Sequence, residues 1–361
     1  MAETNATILI PDISGFTQFM TSTELSHGTF AINMLIESII QAVGDEYEVS
    51  EIEGDAVLLI RKGDSPSQQQ IQDICLKIFN SFHFQRKWMQ QHAVCPCGAC
   101  LSIIDLTLKF VVHHGPLAEI KIGRFVKQSG TEMIVAHRLL KNSIDNNEYL
   151  LMTEKLLEYA GPLDPGEMNW VSSSEEYASI GKVDFRFALL NEARKKCPEP
   201  PALPAYYTDD TPFFEKVVEA GFRNVYMEMM NIPSRAEWVP GLKKVEQEIG
   251  QVFVGSIHLC TFEDYQIIVS PLRMTLAEDR ILYAESCEIK ELGLKFIHEY
   301  LFRRRDDKSS FFAFRLMHEA ELPSEMYAGF VERMQQMAAS LAAHCAKIDG
   351  ATFKPAFHRG P

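Results

Sequence analysis

Asp12-Ile13-Ser14-Gly15-Phe16-Thr17, followed after one helical stretch by Glu53-Gly54-Asp55-Ala56-Val57-Leu58, decides how the first half of this chain folds. Asp12 closes a short β-rich run, Thr7 to Ile10, which Pro11 is expected to stop because it lacks an N–H. Gly15 permits a tight turn, and the helix expected after it presents free N–H groups suited to phosphate. Ile32, Leu35, Ile36, Ile39 and Val43 keep helical spacing up to Gly44, a natural C-terminal cap. Tyr47–Ile52 and Ala56–Ile60 then read as two strands joined at Glu53-Gly54-Asp55. In such a βαββ unit the strands carrying Asp12 and Asp55 are neighbours, so both carboxylates converge at one end of the sheet. Two hard oxygen ligands beside a phosphate cradle suit Mg²⁺ or Mn²⁺. Strand-end aspartates also serve as plain turn formers.

Working outward, Ile71, Ile74, Cys75, Ile78 and Phe82 mark a second amphipathic helix. Leu106–Val112 reads as a strand and Met133–Lys141 as a helix. The order β-α-β-β-α-β is the split βαβ, ferredoxin-like arrangement. Pro198, Pro200, Pro201 and Pro204 lie in seven residues and mark a stiff linker. The expected organisation is therefore an α+β chain with one domain over 1–195, a linker over 196–208 and a second domain over 209–361.

The two aspartate motifs, in this order and approximate separation, resemble the metal-binding signature of class III adenylate/guanylate cyclases. The resemblance continues through His114-Gly115-Pro116 and through Gly130 to Leu139, so it covers about half of the chain. It implies an active site at a dimer interface. Asp12 and Asp55 would hold two divalent metals, the backbone around Ile13, Gly15, Phe16 and Thr17 would cradle a triphosphate, and Arg138 would match the transition-state arginine. A guanidinium suits that role because it offers two parallel hydrogen bonds to developing phosphate charge. Arg138 as a surface residue paired with a carboxylate is an equal alternative.

Several positions depart from the family pattern. Glu51 stands where the family has a base-reading lysine, Thr131 at the base-reading acidic position, and Ile134 at the transition-state asparagine. A one-residue slip would bring Glu132 to the acidic position. Losing the asparagine alone removes a hydrogen bond typically worth about 10² or more in rate. Three functions stay open: a degenerate domain binding metal and nucleoside triphosphate; an active cyclase making a 3′,5′-cyclic nucleotide from ATP or GTP, as a homodimer or with a second chain; and a non-catalytic dimerisation module.

His92, Cys95, Cys97 and Cys100 form H-x2-C-x-C-x2-C. Close-set thiols in a reducing compartment favour zinc, with reversible oxidation or inert loop thiols as the alternatives. The adjacent His113 and His114 sit on one strand, where successive side chains face opposite ways, so they are not expected to share an ion.

Beyond the linker, strand-like runs appear at Phe213–Val218, Gln251–Phe262, Gln266–Ser270, Ile281–Ile289, Leu294–Phe302 and Phe311–His318, before a long amphipathic helix. Together with Trp238-Val239-Pro240-Gly241 and Val245, this part is similar to the START-like polyketide cyclase/aromatase superfamily, with its helix-grip fold. That resemblance implies an apolar cavity for a hydrophobic small molecule, lined by Trp238, Met326, Phe330, Met334 and Met337. The same stripe can equally fill a core.

A net charge of −14 argues against a nucleic-acid partner, and Arg303-Arg304-Arg305 runs straight into Asp306-Asp307 as a hairpin tip would. No apolar run reaches the roughly 20 residues of a membrane span. With no leader-like N-terminus, the expected location is the cytoplasm.

Overall fold

The computed structural model describes residues 3–23, 25–123, 125–163, 168–247, 252–318 and 323–347. The chain is α+β and divides into two compact units, one of residues 1–89 with 101–200 and one of 90–100 with 201–361. Gln90–Cys100, inside the span expected to be one uninterrupted domain, is thus grouped with the later half.

The first unit is built on strands β1 (Glu3–Ser14), β2 (Glu48–Glu53), β3 (Ala56–Lys62), β4 (Thr107–Ile122), β5 (Phe125–Ser129), β6 (Tyr149–Thr153), β7 (Trp170–Tyr177) and β8 (Gly181–Leu189). Its sheet runs β2-β3-β1-β4-β6-β8-β7, with β5 paired to β4. The first four of these strands reproduce the split βαβ order, each antiparallel to its neighbour. Helices α1 (Phe16–Ser22) and α2 (Leu25–Val43) separate β1 from β2, and α3 (Gln68–His92) follows β3. Short α4 (Gly98–Ser102) precedes β4, while α5 (Thr131–Leu139), α6 (Glu154–Ala160) and α7 (Asn191–Lys195) follow β5, β6 and β8.

Leu9, Ile13, Val57 and Leu59 are fully buried, as are Ile8 and, nearly so, Ile60 of the same strands. Such continuous burial means that β1 and β3 are covered on both faces. Met133 and Ala136 of α5 pack on Ile8, Ile10, Leu58 and Ile60. Each such aliphatic side chain contributes about 1.5–3 kcal/mol on burial. This packing holds the ends of β1 and β3 in register.

Pro11, expected to stop the first strand, lies inside it. β1 pairs with β4 from Glu3 to Ser14, while its register with β3 skips Ile10 and Pro11. The N–H of Ile13 points to the β3 side, where it donates to the Asp55 carbonyl at 3.0 Å. The position of the missing Pro11 N–H, two residues earlier, faces the same side and falls in that gap. The β2–β3 hairpin turns at Gly54 and Asp55, with Gly54 at φ +66°. Strands β6 to β8 extend the sheet beyond the six-element unit expected.

The second unit holds a wholly antiparallel sheet of β9 (Phe214–Val218), β10 (Lys244–Gln247), β11 (His258–Thr261), β12 (Gln266–Leu276), β13 (Arg280–Ile289), β14 (Leu294–Arg304) and β15 (Ser310–Met317), in the order β10-β11-β12-β13-β14-β15-β9. Helices α8 (Phe222–Met230) and α9 (Arg235–Trp238) follow β9, and α10 (Ser324–Cys345) follows β15. Met334, Ala338, Leu341 and Cys345 of α10 enter one core with Val225, Tyr226, Phe302 and Phe312. The strand expected over Gln251–Phe262 is confined to His258–Thr261, and Gln251 lies outside the described residues. Arg303 and Arg304 end β14, and the turn to β15 takes Arg305 to Ser309.

Candidate functional site

Asp12 sits in the β1 register opposite Ala56 of β3 on one side and Lys109 of β4 on the other. Asp55 precedes Ala56 directly, so sheet pairing brings both carboxylates to one end of the sheet. Burial raises the Asp12 pKa above the ordinary carboxylate value, Lys109 opposes that rise, and the charge of Asp55 adds to it. Burial raises Asp55 as well. The Lys109 ammonium lies 3.4 Å from Asp12 Oδ2 and donates to the Leu140 carbonyl at 3.1 Å. Lys109 and Asp12 keep only 18% and 13% of their side chains exposed, so this pair sits in the wall of the site. Two carboxylates and one ammonium leave net negative charge in a part-buried place, which fits a divalent cation with hard oxygen ligands.

Gly15 stands at φ +90° between β1 and α1, a conformation costly for any residue with a Cβ. Phe16 reaches over the neighbouring hairpin, since a Cβ on Gly54 would meet its ring edge at 4.0 Å. Ile13, through its N–H on the Asp55 carbonyl, and Phe16 therefore border the turn that carries Asp55, whereas Gly15 faces Asp105 and Leu106 and Thr17 lies in α1. Helix α1 has seven residues, and Phe19 N–H closes its first turn on the Gly15 carbonyl at 3.0 Å.

The altered positions are occupied by other interactions. Glu51 pairs with Lys127 at 2.9 Å, which is the main cause of its lowered pKa. Glu132 lies 2.5 Å from His113 Nε2 and accepts from Lys155 at 2.7 Å. These contacts bring its pKa to about 2 against the cost of burial. Glu132 is thus held inside its own unit and does not present a free acidic edge. His113 Nδ1 meets Thr153 Oγ1 at 2.8 Å, whereas His114 Nδ1 meets Thr7 Oγ1 at 2.9 Å, so the adjacent histidines take different partners. Thr131 is exposed and Ile134 is 53% exposed. Arg138 is exposed on α5, where its charge acts on Tyr177.

In the second unit, a cavity of about 80 Å³ is lined by Trp238 and Met337 together with Met229, Cys260 and Val269. The other stripe residues do not line it. Met334 fills the core, Phe330 packs on Phe296 with ring centres 5.3 Å apart, and Met326 is 38% exposed. Met334 turns into the core, while Phe330 and Met326 share the Met337 face but lie about 10 and 16 Å nearer the start of the helix.

The cavity also has a polar floor. Glu285 and His298 face each other across β13–β14, and both line the cavity with Arg235 and Tyr300. Tyr283 and Tyr300 donate to Glu285 at 2.9 and 3.1 Å, and Arg235 meets His258 Nε2 at 2.8 Å. Burial and the Arg235 charge bring His258 down to about 3, so it is neutral. Burial alone would raise Glu285, but the neighbouring His298 and Arg235 outweigh it and bring the carboxyl to about 2. The Trp238 indole N–H is buried without a hydrogen-bond partner among the described residues. The missed signal was period-2 alternation, which sets Glu285 on the same face as Tyr283 and Cys287.

The thiols of Cys95, Cys97 and Cys100 have all three sulfurs within 4.8 Å of one another. His92 supplies no atom to that group; its carbonyl instead accepts from the Val254 N–H at 2.9 Å.

Residues 32–149 match a family described as "Protein of unknown function (DUF2652)". A curated relative, "Uncharacterized protein Rv2561/Rv2562" of Mycobacterium tuberculosis (strain ATCC 25618 / H37Rv), is 33% identical over 120 residues. That match covers 33% of this chain and 56% of the relative, so the chain spans little more than half of that protein's length. Among solved structures, the guanylyl cyclase Cya2 is similar over 52% of this chain and 92% of its own, at 18% identity and a TM-score of 0.40. A bacterial light-regulated adenylyl cyclase is similar over 54% and 94%, at 14% identity and a TM-score of 0.39. The dimeric guanylyl cyclase domain of the RhoGC fusion protein from the aquatic fungus Blastocladiella emersonii is similar over 52% and 98%, at 14% identity and 0.35. No helix among the described residues is long and apolar enough to cross a membrane.

Proposed function

We propose that the first unit is a class III nucleotidyl cyclase-type domain that holds magnesium or manganese at Asp12 and Asp55 and binds a nucleoside triphosphate without efficient turnover. The observation that carries this reading is the meeting of two part-buried carboxylates at one sheet end, beside the Gly15 turn, with Lys109 as a compensating cation. A bound divalent ion would supply charge neutralisation for the triphosphate and for the two carboxylates. The backbone from Ile13 to Thr17 borders the same end and is the assigned phosphate contact. Against turnover stand Ile134, which cannot donate a hydrogen bond in the transition state, and Glu132, committed to His113 and Lys155.

The domain acts as a dimer in the cytoplasm, and Arg138, exposed on α5, is the group available to a partner's nucleotide. The second unit is assigned as a START-like, helix-grip domain binding a small molecule. Its cavity of about 80 Å³ is well short of the roughly 300 Å³ typical of ligand pockets, so the ligand is small or enters by displacing side chains. The buried, unpartnered Trp238 N–H calls for a hydrogen-bond acceptor on that ligand.

Incubation of the purified protein with ATP or GTP and Mn²⁺, followed by mass spectrometry for 3′,5′-cyclic product, tests turnover. No cyclic product is expected from either nucleotide. Product that disappears in Asp55→Ala would make the chain a working cyclase with an unusual base-reading set.

A further inference from the structure

Three thiols within six residues are brought together in the second unit by a segment that is fastened before the first of them. The Val254 N–H donates to the His92 carbonyl at 2.9 Å, Ala93 bridges to Phe253, and the Tyr226 hydroxyl donates to the Val94 carbonyl. Val94 is itself fully buried in the core with Tyr226 and Trp238. The cysteines that follow therefore start from a fixed backbone. Cys95 and Cys97 are 6% and 7% exposed, and Cys100 is half-buried.

All three sulfurs lie within 4.8 Å of one another. A metal–thiolate bond of about 2.3 Å in tetrahedral or trigonal geometry needs sulfurs about 3.8–4.0 Å apart. The present arrangement is thus within about 1 Å of a coordinating one. A fourth sulfur is near, since Met227 Sδ lies 4.0 Å from Cys95 Sγ.

We propose that Cys95, Cys97 and Cys100 bind one thiophilic d¹⁰ cation, zinc or copper(I), as a structural clamp on the segment before β4. Soft sulfur donors select such ions over magnesium and manganese, which separates this site chemically from the Asp12–Asp55 pair. Each thiol that ligates gives its proton to solvent, so metal uptake releases up to three protons and weakens as pH falls. The proposal does not depend on the nucleotide reading of the first unit.

Elemental analysis of the full chain, purified under reducing conditions without a metal-affinity step, tests it directly. One equivalent of zinc or copper per chain is expected, and which metal is found decides between them. The Cys95→Ser/Cys97→Ser/Cys100→Ser variant should lose it, and Cys287→Ser should keep it. Should the triple variant fail to fold, titration of reduced, metal-stripped wild type with Co²⁺ gives a second readout. A thiolate-to-cobalt charge-transfer band that saturates at one equivalent, with proton release, is expected. Absence of both native metal and that band, or full metal retention in the triple variant, would overturn the site.

Discussion

Glu285→Ala destabilises the second unit by about 3–5 kcal/mol, because it leaves two buried tyrosine hydroxyls without their acceptor and removes the negative charge that offsets the buried Arg235. Chemical denaturation measures this loss. If the alanine variant does not fold, Glu285→Gln keeps the shape and removes only the charge. The pH dependence then isolates the carboxylate. Its folded pKa of about 2 lies below the ordinary value of 4.5, so between those values the unfolded chain binds the extra proton. The stabilisation is complete above about pH 4.5 and is lost as pH falls through about 2. A shift of that size corresponds to about 3 kcal/mol. The wild-type advantage over Glu285→Gln should therefore be near that figure at pH 6 and shrink toward zero in acid. A difference that stays constant over this range would mean that Glu285 acts through shape alone.

Lys109→Met should make the stability of the first unit depend on divalent metal. Without Lys109, Asp12 and Asp55 face each other with no resident cation, and in metal-free buffer the loss is about 1–3 kcal/mol. Mn²⁺ at a hundred times its dissociation constant adds about 2.7 kcal/mol by mass action and restores the variant. Thermal unfolding with and without Mn²⁺ reads both effects. A variant that is weakened but not rescued would leave Lys109 as a structural residue and remove the metal from the account.

The part of this design that was legible in sequence is the part encoded locally. The Gly15 turn, the Gly54-Asp55 hairpin and the apolar runs around them announce two neighbouring strands whose ends carry carboxylates. Lys109 was invisible because its place beside Asp12 comes from the β1–β4 register, which pairs residues almost a hundred positions apart. Pro11 misled for the opposite reason: its local cost is cancelled by a gap in the β1–β3 ladder. In the second unit the helical stripe of α10 marked an apolar face but not which part of it would meet the cavity. Of the residues expected there, Met337 lines it, Met334 is core, and Met326 faces out. The Arg235–Glu285–His298 floor depends on the β13–β14 register and on α9 folding back, neither of which a single strand reveals.

Isothermal titration of ATP and GTP in the presence of Mn²⁺, on the wild type and on Asp12→Asn, bears most directly on the central claim. Saturable binding by the wild type, at least a hundredfold weaker in Asp12→Asn, with unaltered nucleotide recovered afterwards, is the predicted result. Equal binding by both proteins, or no binding by either, would contradict it.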